Sequence, residues 1–134
     1  MTSPPPELQQ IANPAPAYRM AAMLLGVGTL HFLTPKPFDA IVPAELPGSA
    51  RFYTYASGVA ELGTAGLLAT PRTRRLGALA AVVLFVSVFP ANVNMVRLWF
   101  QDPRKPFVMR LAALARLPLQ IPMVLQALRI YRSS

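Results

Sequence analysis

Four long stretches of this chain are almost empty of charge, and that feature constrains the fold more than any other. Residues 76–96 carry no Asp, Glu, Lys or Arg, and in residues 20–35 the one side chain of that kind able to titrate is His31, ahead of Lys36. Residues 52–71 carry only Glu61, and residues 111–128 only Arg116. A mostly apolar run of about 18 residues reads as a membrane span, since ~20 residues rising ~1.5 Å each cross roughly 30 Å of hydrocarbon. Arg19 and Lys36 flank the shortest run and can extend their charged ends to the headgroups.

In hydrocarbon each backbone group must find its partner within the segment, which leaves helices or a closed barrel. No alternating strand-length segments are visible, so a barrel is excluded. The expected fold class is all-α, a four-transmembrane-helix antiparallel bundle with spans at about 18–34, 52–70, 75–97 and 107–131. These form one domain over residues 18–132, multi-pass in the cell membrane, with the lipid bilayer as its first partner. Residues 1–17, "MTSPPPELQQIANPAPA", are Pro-rich and polar and lack the basic and apolar regions of a cleavable signal. They are expected to be a disordered tail, with the first span as its own insertion signal.

The links differ in character. "TPRTRRL" is very short and makes the second and third spans a tight hairpin, with Pro71 helping to end the second. "WFQDPRKPF" is a second short turn, with Trp99 at interface depth. Residues 35–51, "PKPFDAIVPAELPGSAR", hold four prolines yet keep Phe38, Ile41, Val42 and Leu46. A solvated linker has no use for those apolar groups, so a loop or short helix covering the mouth of the bundle is expected. An even number of spans puts both termini on one side. The basic residues divide almost equally, and the compact "RTRR" turn tips the reading toward cytoplasmic termini.

The net charge of +8 sits between and at the ends of the apolar runs, where anionic headgroups would meet it, rather than in a stripe. Nucleic acid is therefore not an expected partner. The chain has no cysteine and one histidine, which excludes disulfides and thiol relays and leaves no basis for an all-protein metal site.

Glu61 is the residue that needs a reason. At spacings of three and four from it lie Thr54, Ser57, Gly58, Thr64 and Ala65, a small, hydroxyl-rich face suited to close helix contact. That face turns Glu61 inward. A mid-membrane charge costs several kcal/mol unless paired or hydrated, and Arg116, at comparable depth in the fourth span, is the expected partner. Gln120 follows Arg116 by one turn, beside carbonyls freed by Pro118 and Pro122. His31, with Gly28 a turn below it, and "FPANVNM" bring further polar groups, and of Asn92 and Asn94 the former is favoured as inward. His31, Glu61, Asn92, Arg116 and Gln120 are thus the candidates for a polar pocket opening toward residues 35–51. Each also has a plainer reading. A Glu–Arg pair can merely fix helix register, Asn can be interhelical glue, and a His near a helix end can be an interface residue.

The succession "GVGTLHFLTPKPFD", "YASGVAELGTAGLL", "RRLGALAAVVLFVSVFPANVNM" and "RLPLQIPM" resembles the DoxX-like family of small four-helix membrane proteins, over about residues 20–130. The resemblance implies an integral membrane four-helix bundle. It also implies a link, in some relatives, to quinone-dependent oxidoreductase systems, and in a related animal protein a role in receptor assembly. It supplies no catalytic set to carry over, and without cysteine this chain cannot perform the dithiol chemistry of some relatives.

Two functions follow as expectations. One is a redox-associated membrane subunit with no intrinsic cofactor, its pocket taking a quinone or a lipid, and its electrons supplied by other membrane or oxidoreductase subunits. The other is a non-catalytic scaffold or assembly factor whose polar core fixes the bundle.

Overall fold

The computed structural model describes residues 13–134, and these are all-α. The long helices are α1 (Ala15–Leu33), α3 (Ala50–Ala69), α4 (Arg74–Ser87), α5 (Phe89–Gln101) and α6 (Phe107–Arg132), with a short α2 (Pro35–Asp39) after α1. The expected tail falls mostly outside the described residues, but its last part is already helix. Ala15 begins α1 and Ala17 is 2% exposed, because prolines 14 and 16 suit a helix's first turn, where an amide would have no partner.

Local chemistry sets the other ends. Ser49 caps α3 by accepting from the Phe52 amide at 3.2 Å. At its far end Pro71 cannot continue the helix, and two side chains take up α3's last carbonyls: Thr73 Oγ1 donates to Leu67 O and Arg74 Nε to Leu68 O, both at 2.9 Å. Arg74 is thus part of the turn's structure as well as of its charge. The expected third span is helical with a one-residue interruption at Val88, between α4 and α5. Pro90 offers no amide to the preceding turn, but Val88 keeps helical dihedrals, and the bonds from Val88 N to Leu84 O at 3.0 Å and from Asn92 N to Val88 O at 3.1 Å carry the helix through it.

Buried residues on α1 (Ala17, Met20, Ala21, Leu24, Gly28, His31) and α3 (Thr54, Gly58, Glu61, Thr64, Ala65, Leu68) recur every three or four positions, one face each. The helices form a ring in which α1 packs on α3, α3 on α4, α4 and α5 on α6, and α6 touches α1. Helices α3 and α6 stand diagonally. At Gly77 the approach of α4 to α3 is so close that a Cβ would lie 2.7 Å from the Leu68 backbone nitrogen.

The interior mixes small and large residues: Ala17, Ala21, Ala65, Ala78, Ala81, Ala113 and Ala127 are buried together with Leu24, Leu68, Leu84, Phe85, Met95 and Ile130. Many other large apolar side chains, among them Leu25, Leu33, Phe52, Val59, Val83, Val108 and Ile121, face outward. Two of the expected spans, Pro71–Gln101 with 31 residues and Phe107–Arg132 with 26, are long and apolar enough to cross a membrane.

Candidate functional site

The spacing that turns Glu61 inward on α3 brings it against His31 near the end of α1. Both are 6% exposed, and His31 Nδ1 lies 3.3 Å from Glu61 Oε2. The same nitrogen lies 2.7 Å from Val27 O, one helical turn back. A carbonyl and a carboxyl oxygen both accept, so the imidazole carries a proton on Nδ1 and directs it chiefly to Val27. Glu61 Oε2 is left buried with no full hydrogen bond, and Oε1 receives a long one from Ser57 Oγ at 3.4 Å.

Arg116 is not the partner of Glu61. It is exposed, on the diagonal helix α6, and its Nη1 meets the Met95 sulfur at 3.8 Å. Depth along the chain matches the two residues, but the ring order separates their helices. Gln120, by contrast, is buried and joins two neighbours: its Nε2 donates to Phe85 O beside the α4–α5 interruption, and its Oε1 accepts from Asn92 Nδ2 at 2.9 Å. It therefore serves a carbonyl on α4 rather than those near prolines 118 and 122. The preference for Asn92 over Asn94 is also corrected. Asn92 is half-buried, whereas Asn94 is 6% exposed and donates to Ile41 O at 3.0 Å. The two point to different neighbours, α6 and the first link, and both are used.

That link is a cover over the site, as its apolar residues imply. The Phe38 ring lies flat on the His31 imidazole, centroids 3.8 Å apart and planes inclined 19°. Asp39 locks α2 to α3, accepting from Thr54 Oγ1 at 2.5 Å and from Arg51 Nε at 2.8 Å. The Thr54 hydroxyl first, then Arg51, hold the Asp39 carboxyl below its ordinary value. On the α5 side Arg97 reaches Asn94 Oδ1 at 2.6 Å and Glu45 Oε1 at 3.5 Å. Neither Phe38 nor Asp39 stood out as a site residue from sequence alone. The available signal was two acidic residues in one link, flanked by Arg51 and facing Arg97, in a chain with five in all.

The small face of α3 does not leave open space beside Glu61. A Cβ on Gly58 would lie 2.7 Å from the Phe32 ring and 3.0 Å from His31 Cβ, and one on Gly28 would lie 3.2 Å from Glu61 Cβ. Its small residues serve close packing of α1 on α3. A cleft of about 260 Å³ lies instead at the opposite end of the bundle, lined by Asn13, Pro71, Arg74, Arg129 and neighbours. Among the described residues no cluster of His, Asp and Glu could hold a metal ion.

Comparison with curated proteins and with solved structures gave no match. One family model matches residues 20–131, which take in every helix of the bundle, the His31–Glu61 pair and the link that covers it. On that match the chain belongs to the family described as Domain of unknown function (DUF8561).

Proposed function

We propose that the protein is a four-span membrane component, both termini cytoplasmic, in which His31 and Glu61 form a buried proton-holding site beneath the Phe38 cover. The membrane part rests on the many large apolar side chains left facing outward and on the small-residue contacts between helices. Outward Leu, Val, Ile and Phe suit lipid, where close packing rather than burial of apolar area joins helices. A continuous apolar exterior of this kind in water would aggregate.

The observation that carries the site is the stacking of Phe38 on an imidazole whose other edge faces a buried carboxyl. A planar lipophilic molecule with polar ends, of the quinone class, fits the place Phe38 occupies: it would stack on His31 and take a proton or hydrogen bond at its carbonyl oxygen. Such a ligand agrees with the DoxX-like resemblance, and its electrons would come from other membrane or oxidoreductase subunits. The test is mass spectrometry of molecules that copurify, joined to thermal unfolding in detergent with a short-chain quinone. Saturable protection that Glu61→Gln weakens, with the bundle still folded, supports the reading.

The scaffold reading is favoured by a different observation, the tight packing at Gly28 and Gly58. On that reading the pair pins the register of α1 on α3 and the cover binds a partner protein. No copurified quinone and no protection at any concentration would favour it.

A further inference from the structure

The cleft at the far end of the bundle is assembled from three distant parts of the chain: the start of α1 at Asn13 to Ala17, the α3–α4 turn at Pro71 and Arg74, and the end of α6 from Gln126 to Ser134. We propose that it is a binding site for a phosphate group, held chiefly by Arg74 and Arg129. Among the described residues its lining contains these two guanidinium groups, the side-chain amides of Asn13 and Gln126, and no Asp or Glu side chain; the Ser133 hydroxyl, also in the lining, donates to Ile130 O. Neither arginine forms an ion pair with a described carboxylate. The first turn of the 19-residue α1 also borders the cleft and adds the positive end of its dipole.

Arg74 is held in place for this role. Its Nε is spent on Leu68 O at 2.9 Å and its guanidinium carbon lies 5.0 Å from the Tyr18 ring centre. Its Nη2 has no hydrogen-bond partner although buried. With Nε spent and Nη2 enclosed, Nη1 is left as a fixed, charge-assisted donor that an oxyanion in the cleft can meet. Arg129 is exposed and reaches the same cleft from α6, so it supplies charge at little conformational cost to the fold.

Size limits the ligand. A cleft of about 260 Å³ falls just below the roughly 300–1,000 Å³ of sites that enclose drug-sized molecules, so it suits a phosphate with a small substituent. Its apolar wall of Pro16, Ala17 and Ile130 admits the start of a glycerol or similar carbon unit. The shared chemistry is a phosphate mono- or diester, and its source is either a lipid headgroup or a free phosphate compound. The proposal does not depend on the His31–Glu61 site.

The experiment is a thermal-unfolding titration of the full chain in a neutral detergent with three probes: inorganic phosphate, dihexanoyl phosphatidic acid and dihexanoyl phosphatidylcholine. Saturable stabilisation is expected from phosphatidic acid. Equal stabilisation by inorganic phosphate would assign the site to free phosphate compounds, and its absence there would assign it to headgroups. Arg129→Gln, on an exposed position, is expected to weaken binding about tenfold or more, as loss of a charge-assisted bond should. Arg74→Lys keeps the charge but loses the Nε bond to Leu68 O that fixes the side chain, and is expected to weaken it as well. Arg72→Gln, in the same turn but outside the cleft, is the control. If no probe saturates, or if Arg72→Gln weakens binding as much as Arg129→Gln, the arginines act only as diffuse charge and the proposal is wrong.

Discussion

Glu61 and His31 face each other across the α1–α3 contact, 3.3 Å apart, with the imidazole Nδ1–H directed to the Val27 carbonyl and Glu61 Oε2 left without a hydrogen-bond partner. Contact of this kind makes their contributions interdependent. His31→Ala and Glu61→Ala together should destabilise the bundle by less than the sum of the single changes, with a coupling of about 0.5–3 kcal/mol. Glu61→Ala and Arg116→Ala should add within about 0.5 kcal/mol, because diagonal helices separate them. Thermal or denaturant unfolding of the parent and the five variants in one detergent decides the matter. A coupling to Arg116 larger than that to His31 would overturn the geometry.

Glycine positions should divide into two groups. Gly77→Ala places a Cβ 2.7 Å from backbone on α3, which cannot yield as a side chain can. It should cost about 1–3 kcal/mol or more, with Gly58→Ala next, since the Phe32 ring can move. At Gly26, Gly63 and Gly66 the space is open. Alanine there should be neutral or stabilising by up to about 1 kcal/mol, through helix propensity. Midpoints that show no such division would refute the close approach of α4 to α3.

Gln120 is expected to be the least replaceable of the polar interior residues. Gln120→Leu strands both Phe85 O and the Asn92 amide, at a cost of about 1–3 kcal/mol for each buried group left unpaired. Gln120→Glu loses the donor to Phe85 O and sets an acceptor against it, so it should be no better. A Gln120→Leu protein as stable as the parent would show that neither bond matters.

The clasp of α2 on α3 should open in acid. The Asp39 carboxyl is held below its ordinary 3.8, first by the Thr54 hydroxyl and then by Arg51. Its contribution is therefore complete above that ordinary value and is lost as pH falls through the lowered folded value. Carboxyl-carbon NMR should give Asp39 a depressed titration, raised more by Thr54→Val than by Arg51→Gln. Amide exchange at Ala40, Ile41 and Val42, whose amides bond to the carbonyls of Lys36, Phe38 and Asp39, should speed up over the same interval.

Asn13, Pro71 and Ser133 line one cleft, which puts both ends of the described chain and the α3–α4 turn on one side of the bundle. The native chain lacks cysteine, so single cysteines introduced at Arg72, Ser134 and Ala44 can be labelled in intact cells with an impermeant maleimide. Only the Ala44 position is expected to react. Labelling at Arg72 or Ser134 would reverse the orientation.

Helix positions, the inward face of α3 and the covering link were readable from the sequence because each is a local matter. Charge-free runs, a three-and-four spacing of small residues, and apolar groups in a proline-rich link declare themselves within a few turns of chain. Thr54, Ser57, Gly58, Glu61, Thr64 and Ala65 share one face, and all are buried except Ser57, which is half-buried. The partner of Glu61 was not local. Sign and depth pointed to Arg116, yet which helices are neighbours depends on ring order, and only tertiary packing put α1 rather than α6 beside α3. The same holds for Phe38, whose ring lies on His31 through a turn that no residue pattern specifies. It holds also for the arginine-lined cleft, where residues near 14, 72 and 130 meet because three helix ends share one level. Periodicity along a helix tells a residue which way to face; what it finds there is set by the order in which the helices pack.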